Sequence, residues 1–262
     1  MHDAGSKKRT ISNILGTLTA AALALSAPPA IAGANPCADV EEGGAAYVVC
    51  DFDARKSDIR LFLRNAKGEA YNDFSRLSGD LSGRGETLVF AMNAGMYAED
   101  RAPVGLYVEN GRTLKSANTR PGPGNFHMKP NGVFWVDGQH VGVTETARFL
   151  KRRQRAQFAT QSGPMLVIGG RIHPRIHEDG VSQKYRNGVC VRDGHIARFA
   201  ISNRPVTFYE FARLFRDRLH CQDALFLDGG AASGLYAPSL SRHDRFIPAM
   251  GPIVGVVESA SR

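Results

Sequence analysis

Apolar residues in this chain gather into short runs, and most runs end on a residue pair that tolerates positive φ. Leu106-Tyr107-Val108 leads to Asn110-Gly111, and Val133-Phe134-Trp135-Val136 to Asp137-Gly138. Met165-Leu166-Val167-Ile168 leads to Gly169-Gly170, and Val189-Cys190-Val191 to Asp193-Gly194. Such pairs close hairpins, because a tight turn that matches the twist of its strands needs positive φ. The pattern predicts antiparallel strands through most of the chain.

A different period marks a helix after Thr207. Thr207 and Glu210 form a capping box, and Phe208, Phe211, Ala212, Phe215 and Leu219 recur at spacings of three and four. That stripe is a core face. A second helix is expected near residues 69–77. Two further apolar runs end on polar, glycine-rich turns. Thr87-Leu88-Val89-Phe90-Ala91-Met92 enters Asn93-Ala94-Gly95, and Ala224-Leu225-Phe226-Leu227 enters Asp228-Gly229-Gly230. A last strand is expected over residues 252–257.

The first residues follow another logic. Lys7-Lys8-Arg9 precedes an apolar stretch from Ile14 to Ala27, and Ala30 and Ala32 give the small-x-small pattern of a cleavage site. Residues 1–32 are therefore expected to be a signal peptide, and residues 33–262 a single domain. The apolar stretch is too short and too interrupted for a strong span, which needs about 20 apolar residues, so no stable membrane span is expected after cleavage. Export places the protein in a periplasmic or secreted setting. The chain has 33 Lys and Arg against 25 Asp and Glu, and the leader holds only three of the former and one of the latter. A basic exported protein points to anionic envelope polymers or a phosphate-bearing substrate, not to nucleic acid. Lys151-Arg152-Arg153 and Arg155 form its densest basic run.

All four cysteines lie beyond the leader, which suggests disulfides in an oxidising compartment. Three pairings exist; proximity favours Cys37–Cys50 and Cys190–Cys221. The spacings match no zinc motif. His173 and His177 have the separation of a helical metal pair, but Pro174 intervenes and no third ligand is evident. No metal and no cofactor are expected.

The junction Asp228-Gly229-Gly230-Ala231-Ala232-Ser233 carries the strongest chemical signal. A carboxylate at a strand end can face a cleft, and successive N–H groups of a glycine turn suit an anion. Asn93 offers an amide for sugar hydroxyls. Arg186, in Tyr185-Arg186-Asn187-Gly188, offers the planar fork that matches phosphate. Glu145 is a candidate second carboxylate. The absence of a Gly-x-Ser-x-Gly elbow or a P-loop lysine motif removes two common hydrolase classes.

Taken in order, the Asn-x-Gly after a strand, Ser162-Gly163-Pro164, Arg186-x-Gly188, a helix and Leu227-Asp228-Gly229-Gly230 resemble the phosphodiester glycosidase family, in its bacterial exported branch. The resemblance covers roughly residues 45–258. It implies an α+β fold of mixed, largely antiparallel twisted sheets, with hairpins and a few packing helices in one domain. It also implies cleavage of sugar-1-phosphodiesters to a sugar and a phosphate monoester, on a small-molecule or polymeric glycan substrate. By position, the implied site residues are Asn93, Gly95, Ser162, Gly163, Arg186, Asp228, Gly229, Gly230 and Ser233. Many members continue the motif as Asp-Gly-Gly-Gly-Ser-Ser, where this chain has Ala231 and Ala232. A non-catalytic module that holds an envelope phosphopolysaccharide is the alternative to an enzyme.

Overall fold

The computed structural model describes residues 1–2, 35–153, 155–244 and 249–259. The expected cleavage point after Ala32, and all of the leader but its first two residues, lie outside these. The fold is carried by the unit Asn35–Arg262.

The chain enters through a hairpin of β1 (Cys37–Glu42) and β2 (Ala45–Asp53), which turns at Gly43-Gly44, both at positive φ. Strand β3 (Asp58–Phe62) leads to helix α1 (Phe74–Ser82) and then β4 (Glu86–Asn93). Helix α1 begins later than the expected start near residue 69. Ala70 bridges back to Arg64, Asn72 sits at positive φ, and the Asp73 carboxylate caps the Arg76 N–H. An aspartate in extended backbone is a stronger start signal than the apolar period behind it.

Hairpins β5 (Tyr107–Glu109) to β6 (Arg112–Lys115) and β7 (Gly132–Asp137) to β8 (His140–Glu145) turn at Asn110-Gly111 and at Gly138. Helix α2 (Thr146–Lys151) and β9 (Phe158–Ser162) follow. Two more hairpins, β10 (Met165–Ile168) to β11 (Arg171–Ile172) and β12 (Asn187–Arg192) to β13 (Ile196–Ser202), turn at Gly169-Gly170 and Asp193-Gly194. Helix α3 (Phe208–Arg213) starts on the expected capping box, and its last turn widens to a π-turn over Leu214–Arg218. Strands β14 (Ala224–Phe226), β15 (Leu235–Ala237), β16 (Arg242–His243) and β17 (Ile253–Ser259) complete the chain.

These strands form three antiparallel sheets, ordered β1-β2-β13-β12-β14-β10-β11, β16-β15-β4-β17-β3 and β6-β5-β9-β7-β8. One core lies among all three. Phe52, Phe90 and Phe199 meet there, and the Phe134 ring stands edge-on to Phe199 at 5.6 Å. The period-two alternation of each strand assigns the other face. In β2, Val48, Cys50 and Phe52 enter the shared core, while Tyr47 and Val49 pack under α3 with Phe211 and Phe215. In β4, Phe90 and Met92 point inward and Ala91 outward; a bulge at Val89 shifts the phase, so that Leu88 joins Ala91 against Phe74, Leu77 and Leu81 of α1. Each fully buried large apolar side chain contributes about 1.5–3 kcal/mol. The fold is thus α+β, with helices as covers on strand-built layers.

Both favoured disulfides are present, and no free cysteine remains. Cys37 and Cys50 face each other in the β1–β2 register, while Cys190–Cys221 ties β12 to the segment that follows α3. Among the described residues, no helix is long and apolar enough to cross a membrane.

Candidate active site

Strand ends from all three sheets converge on the backbone of Leu227-Asp228. Ser162, at the end of β9, donates its hydroxyl to the Leu227 carbonyl at 2.5 Å. Asn93, at the end of β4, donates Nδ2–H to the Asp228 carbonyl at 2.6 Å. Ser233 Oγ reaches the same carbonyl at 3.3 Å. Asn187, which opens β12, donates to Oδ1 of Asn93 at 2.7 Å, and its own carbonyl accepts the Leu227 N–H. The Gly234 N–H also donates to Asn93 Oδ1. Asn93, Ser162 and Asn187 are buried, where unmet polar groups are costly. The network therefore fixes the Asp228 backbone to three sheets at once.

The Asp228 carboxyl is enclosed by protein yet keeps some solvent access. Burial pushes its pKa up to about 7, against a partial opposing pull from the Gly229 N–H. Desolvation disfavours the charged form, and no cation appears among the influences that offset it. Tyr97 is close enough to feel this carboxyl. Burial raises its phenol, and the Asp228 charge raises it further. The Tyr97 ring rests on Gly251, where an added Cβ would lie 2.4 Å from its Cγ.

The glycines work differently from the sequence expectation of backbone laid against a ligand. A Cβ on Gly95 would stand 2.3 Å from Thr160 Oγ1, one on Gly163 would stand 2.7 Å from Asn131 Cβ, and one on Gly229 would stand 2.9 Å from the Tyr185 carbonyl. These positions let protein segments close on one another. The Gly230 N–H donates to the Tyr185 carbonyl at 2.8 Å, so that amide is already used. Gly230 itself, at φ +70°, does require glycine for the turn.

Arg186 lies beside this network in the chain, but its side chain faces the α3 side. Its guanidinium lies 3.6 Å from the Phe208 ring centroid and donates to the carbonyls of Val206 and Ser182. Only 1% of the residue is exposed, and among the described residues no carboxylate forms an ion pair with it. Burial lowers its pKa to about 10, with Glu210 pulling the other way, so it stays charged at neutral pH. Glu145 caps α2: its carboxylate accepts the N–H groups of Ala147 and Arg148. It stands two strands from Ser162 through the Glu145–Gly132–Ser162 row, roughly 10 Å at ordinary strand spacing. Asp228 is the carboxyl that the fold brings to the convergence point.

Sequence reasoning left out Asn187 and Tyr97. Asn187 stands before a glycine in a run that reads as a turn entry; only its cross-sheet bond to Asn93 gives it a role. Among the described residues no group of three or more His, Cys, Asp or Glu side chains is arranged to hold a metal. His173 is fully buried and accepts the Arg175 N–H at Nδ1, and burial lowers its pKa.

A family model described as phosphodiester glycosidase matches residues 86–251, a segment that contains every strand end described above. The chain belongs to the phosphodiester glycosidase family. An Escherichia coli K12 member, described as the uncharacterized protein YigE, is 40% identical over 171 residues, a match spanning 65% of this chain and 66% of that one. Among solved structures, the catalytic domain of zebrafish N-acetylglucosamine-1-phosphodiester α-N-acetylglucosaminidase, auto-inhibited by its pro-peptide, aligns with a TM-score of 0.58 at 12% identity. That alignment covers 84% of this chain and 81% of that domain. A putative exported protein from Burkholderia pseudomallei aligns at 0.53 and 12% identity, covering 81% of this chain and 74% of its own. A hypothetical protein from Synechocystis aligns at 0.54 and 14%, over 84% and 61% of the two chains. At these identities the structural likeness concerns the family fold.

Proposed function

We propose that this phosphodiester glycosidase family member acts outside the cytoplasm as a hydrolase. It cleaves the glycosidic bond of sugar-1-phosphodiesters and releases a sugar and a phosphate monoester. The observation that carries the reading is the Asp228 carboxyl, held by three sheets and raised to about 7 by burial. A proton-transfer group works best when its pKa lies near the working pH, and burial is the usual way to bring a carboxyl there. Asp228 is the base or nucleophile at the anomeric side. A phosphate leaving group is already weakly basic, so the demand for a second carboxyl as acid is small, which agrees with the commitment of Glu145 to the α2 cap.

Arg186 serves the leaving phosphate through its field. A buried guanidinium with no ion pair among the described residues, opposed only by the field of Glu210, keeps much of its positive charge, and low dielectric strengthens its reach. Asn93, Ser162 and Ser233 set the position of Asp228, and Gly95, Gly163 and Gly229 let their segments close. The zebrafish relative's name specifies an N-acetylglucosamine-1-phosphodiester as its substrate, which sets the class of compound to try first. Two disulfides and the exported structural relative support a periplasmic or secreted location.

The test is release of reducing sugar and phosphate monoester from a panel of sugar-1-phosphodiesters. Turnover lost in Asp228→Asn with the fold intact supports the reading. Unchanged turnover in that variant removes Asp228 from the mechanism, and tight binding without turnover by the native protein favours a binding module.

A further inference from the structure

The outer face of the β6-β5-β9-β7-β8 sheet is incompletely covered. Helix α2 has six residues, about 9 Å of helix, too short to span five strands. Phe149 of α2 packs on Leu106, Val108, Val133 and Ala159, and beside this cluster the surface sinks into a groove of about 810 Å³. Its floor is apolar, from Leu106, Val108 and Phe149, and its walls include the turns at Asn110-Gly111 and Asp137-Gly138, with Arg155 and Gln157. Leu114 and Leu150, on the elements that flank it, are 49% and 41% exposed.

The rim is basic. Arg148, Lys151, Arg152 and Arg153, in α2 and in the stretch that joins the lining residues Phe149 and Arg155, are all exposed. None of these four forms an ion pair among the described residues. Asp137 is the one carboxylate that lines the groove. Several arginines elsewhere are neutralised, as in Arg60 with Asp58 and Glu86, Arg198 with Asp51, and Arg242 with Asp244. Four basic residues without an ion pair thus fall within six positions of chain beside the groove. The groove also lies away from Asp228. Strand β7 meets Ser162 at Gly132 and reaches the groove at Asp137, five residues or roughly 17 Å along the strand.

We propose that this groove is a second binding site, for one chain of an anionic glycan polymer. Apolar sugar faces lie on the Leu106, Val108 and Phe149 floor, and backbone phosphates meet the basic rim. The concave shape and the small exposed apolar area fit a polymer strand better than a membrane surface. The choice of sugar phosphodiesters for the polymer rests on the proposed activity; the existence of the site does not. The groove would hold a long substrate while its end is cut at Asp228.

The experiment uses Asp228→Asn, so that binding is read without turnover. Its affinity for a poly(hexose 1-phosphate) is measured by calorimetry at low and at 0.15 M salt, beside the triple charge reversal Arg148→Glu, Arg152→Glu, Arg153→Glu in the same background. The expected result is affinity about tenfold or more weaker for the reversal, with a flatter salt dependence, because exposed charges are screened over about 8 Å at that ionic strength. In the otherwise native protein the same reversal should leave kcat/KM for a short sugar-1-phosphodiester unchanged. Equal polymer affinity with and without the reversal overturns the site. So does equal affinity for inorganic polyphosphate, which lacks sugars, or a preference for vesicles of phosphatidylcholine with phosphatidylglycerol. If no short substrate is turned over at all, the polymer measurement still decides the groove independently of the activity.

Discussion

At the residue scale, Asp228 concentrates both chemistry and cost. Replacing it with Asn keeps the outline and removes the charge, so turnover should fall about 10²–10⁴-fold for a lost base, and further for a lost nucleophile. The pH profile should bend near 7, with activity rising as the carboxyl ionises. Stability should run the other way. A carboxyl near 7 in the fold and near 3.8 when unfolded binds its proton more tightly in the folded state, so folding weakens as pH rises between those values. Asp228→Asn should therefore gain on the order of 2–4 kcal/mol over the native protein at pH 8, and little below pH 4, as read by denaturant titration. A native protein that is no less stable at pH 8 than at pH 5, relative to this variant, would contradict a buried carboxyl. Gly95→Ala should cost about 1–3 kcal/mol, because its Cβ would overlap Thr160 Oγ1 and the Gln161 carbonyl. Part of this scale was legible in the chain: a carboxylate before two glycines at a strand end announces a site. The service of the glycines was not legible, because a glycine beside a ligand and one beside a neighbouring strand look alike in sequence.

At the element scale, strand ends matter more than strands. The terminal polar residues of β4, β9 and β12 hold Asp228 through its backbone and that of Leu227. Ser162→Ala should lower kcat several-fold with a smaller change in KM, since it loosens the position of Asp228 and touches no substrate; an effect on KM alone would place Ser162 in contact with substrate instead. Helix α3 begins on a capping box that sequence and structure share, so Thr207→Ala should cost about 1 kcal/mol in thermal or denaturant unfolding. The hairpins appear where Asn-Gly, Asp-Gly and Gly-Gly place them, because those pairs meet a local φ requirement. The start of α1 differs from the expected one for an equally local reason: Asn72 sits at positive φ and Asp73 caps the helix that follows.

At the scale of the whole molecule, three sheets share one core and a single point where their ends meet. The Cys190–Cys221 bridge closes a long loop across the largest sheet, and replacing both cysteines with Ser should lower stability by about 2–4 kcal/mol at equilibrium unfolding. N-terminal sequencing of the exported protein should begin at Gly33; a mature form that retains Lys7 would refute the leader. The sequence by itself determined what depends on near neighbours in the chain: the hairpin turns, the α3 cap, the apolar alternation and the strand-end position of Asp228. Its motif order also pointed to the family. The tertiary structure alone decided what depends on distant neighbours. It joined Asn93 to Asn187 and Ser162 to Leu227, committed Glu145 to a helix end, and turned the Arg186 guanidinium onto Phe208. It also raised the Asp228 carboxyl, because desolvation is set by atoms that segments far apart in the chain bring around it, and no local pattern records which segments those will be.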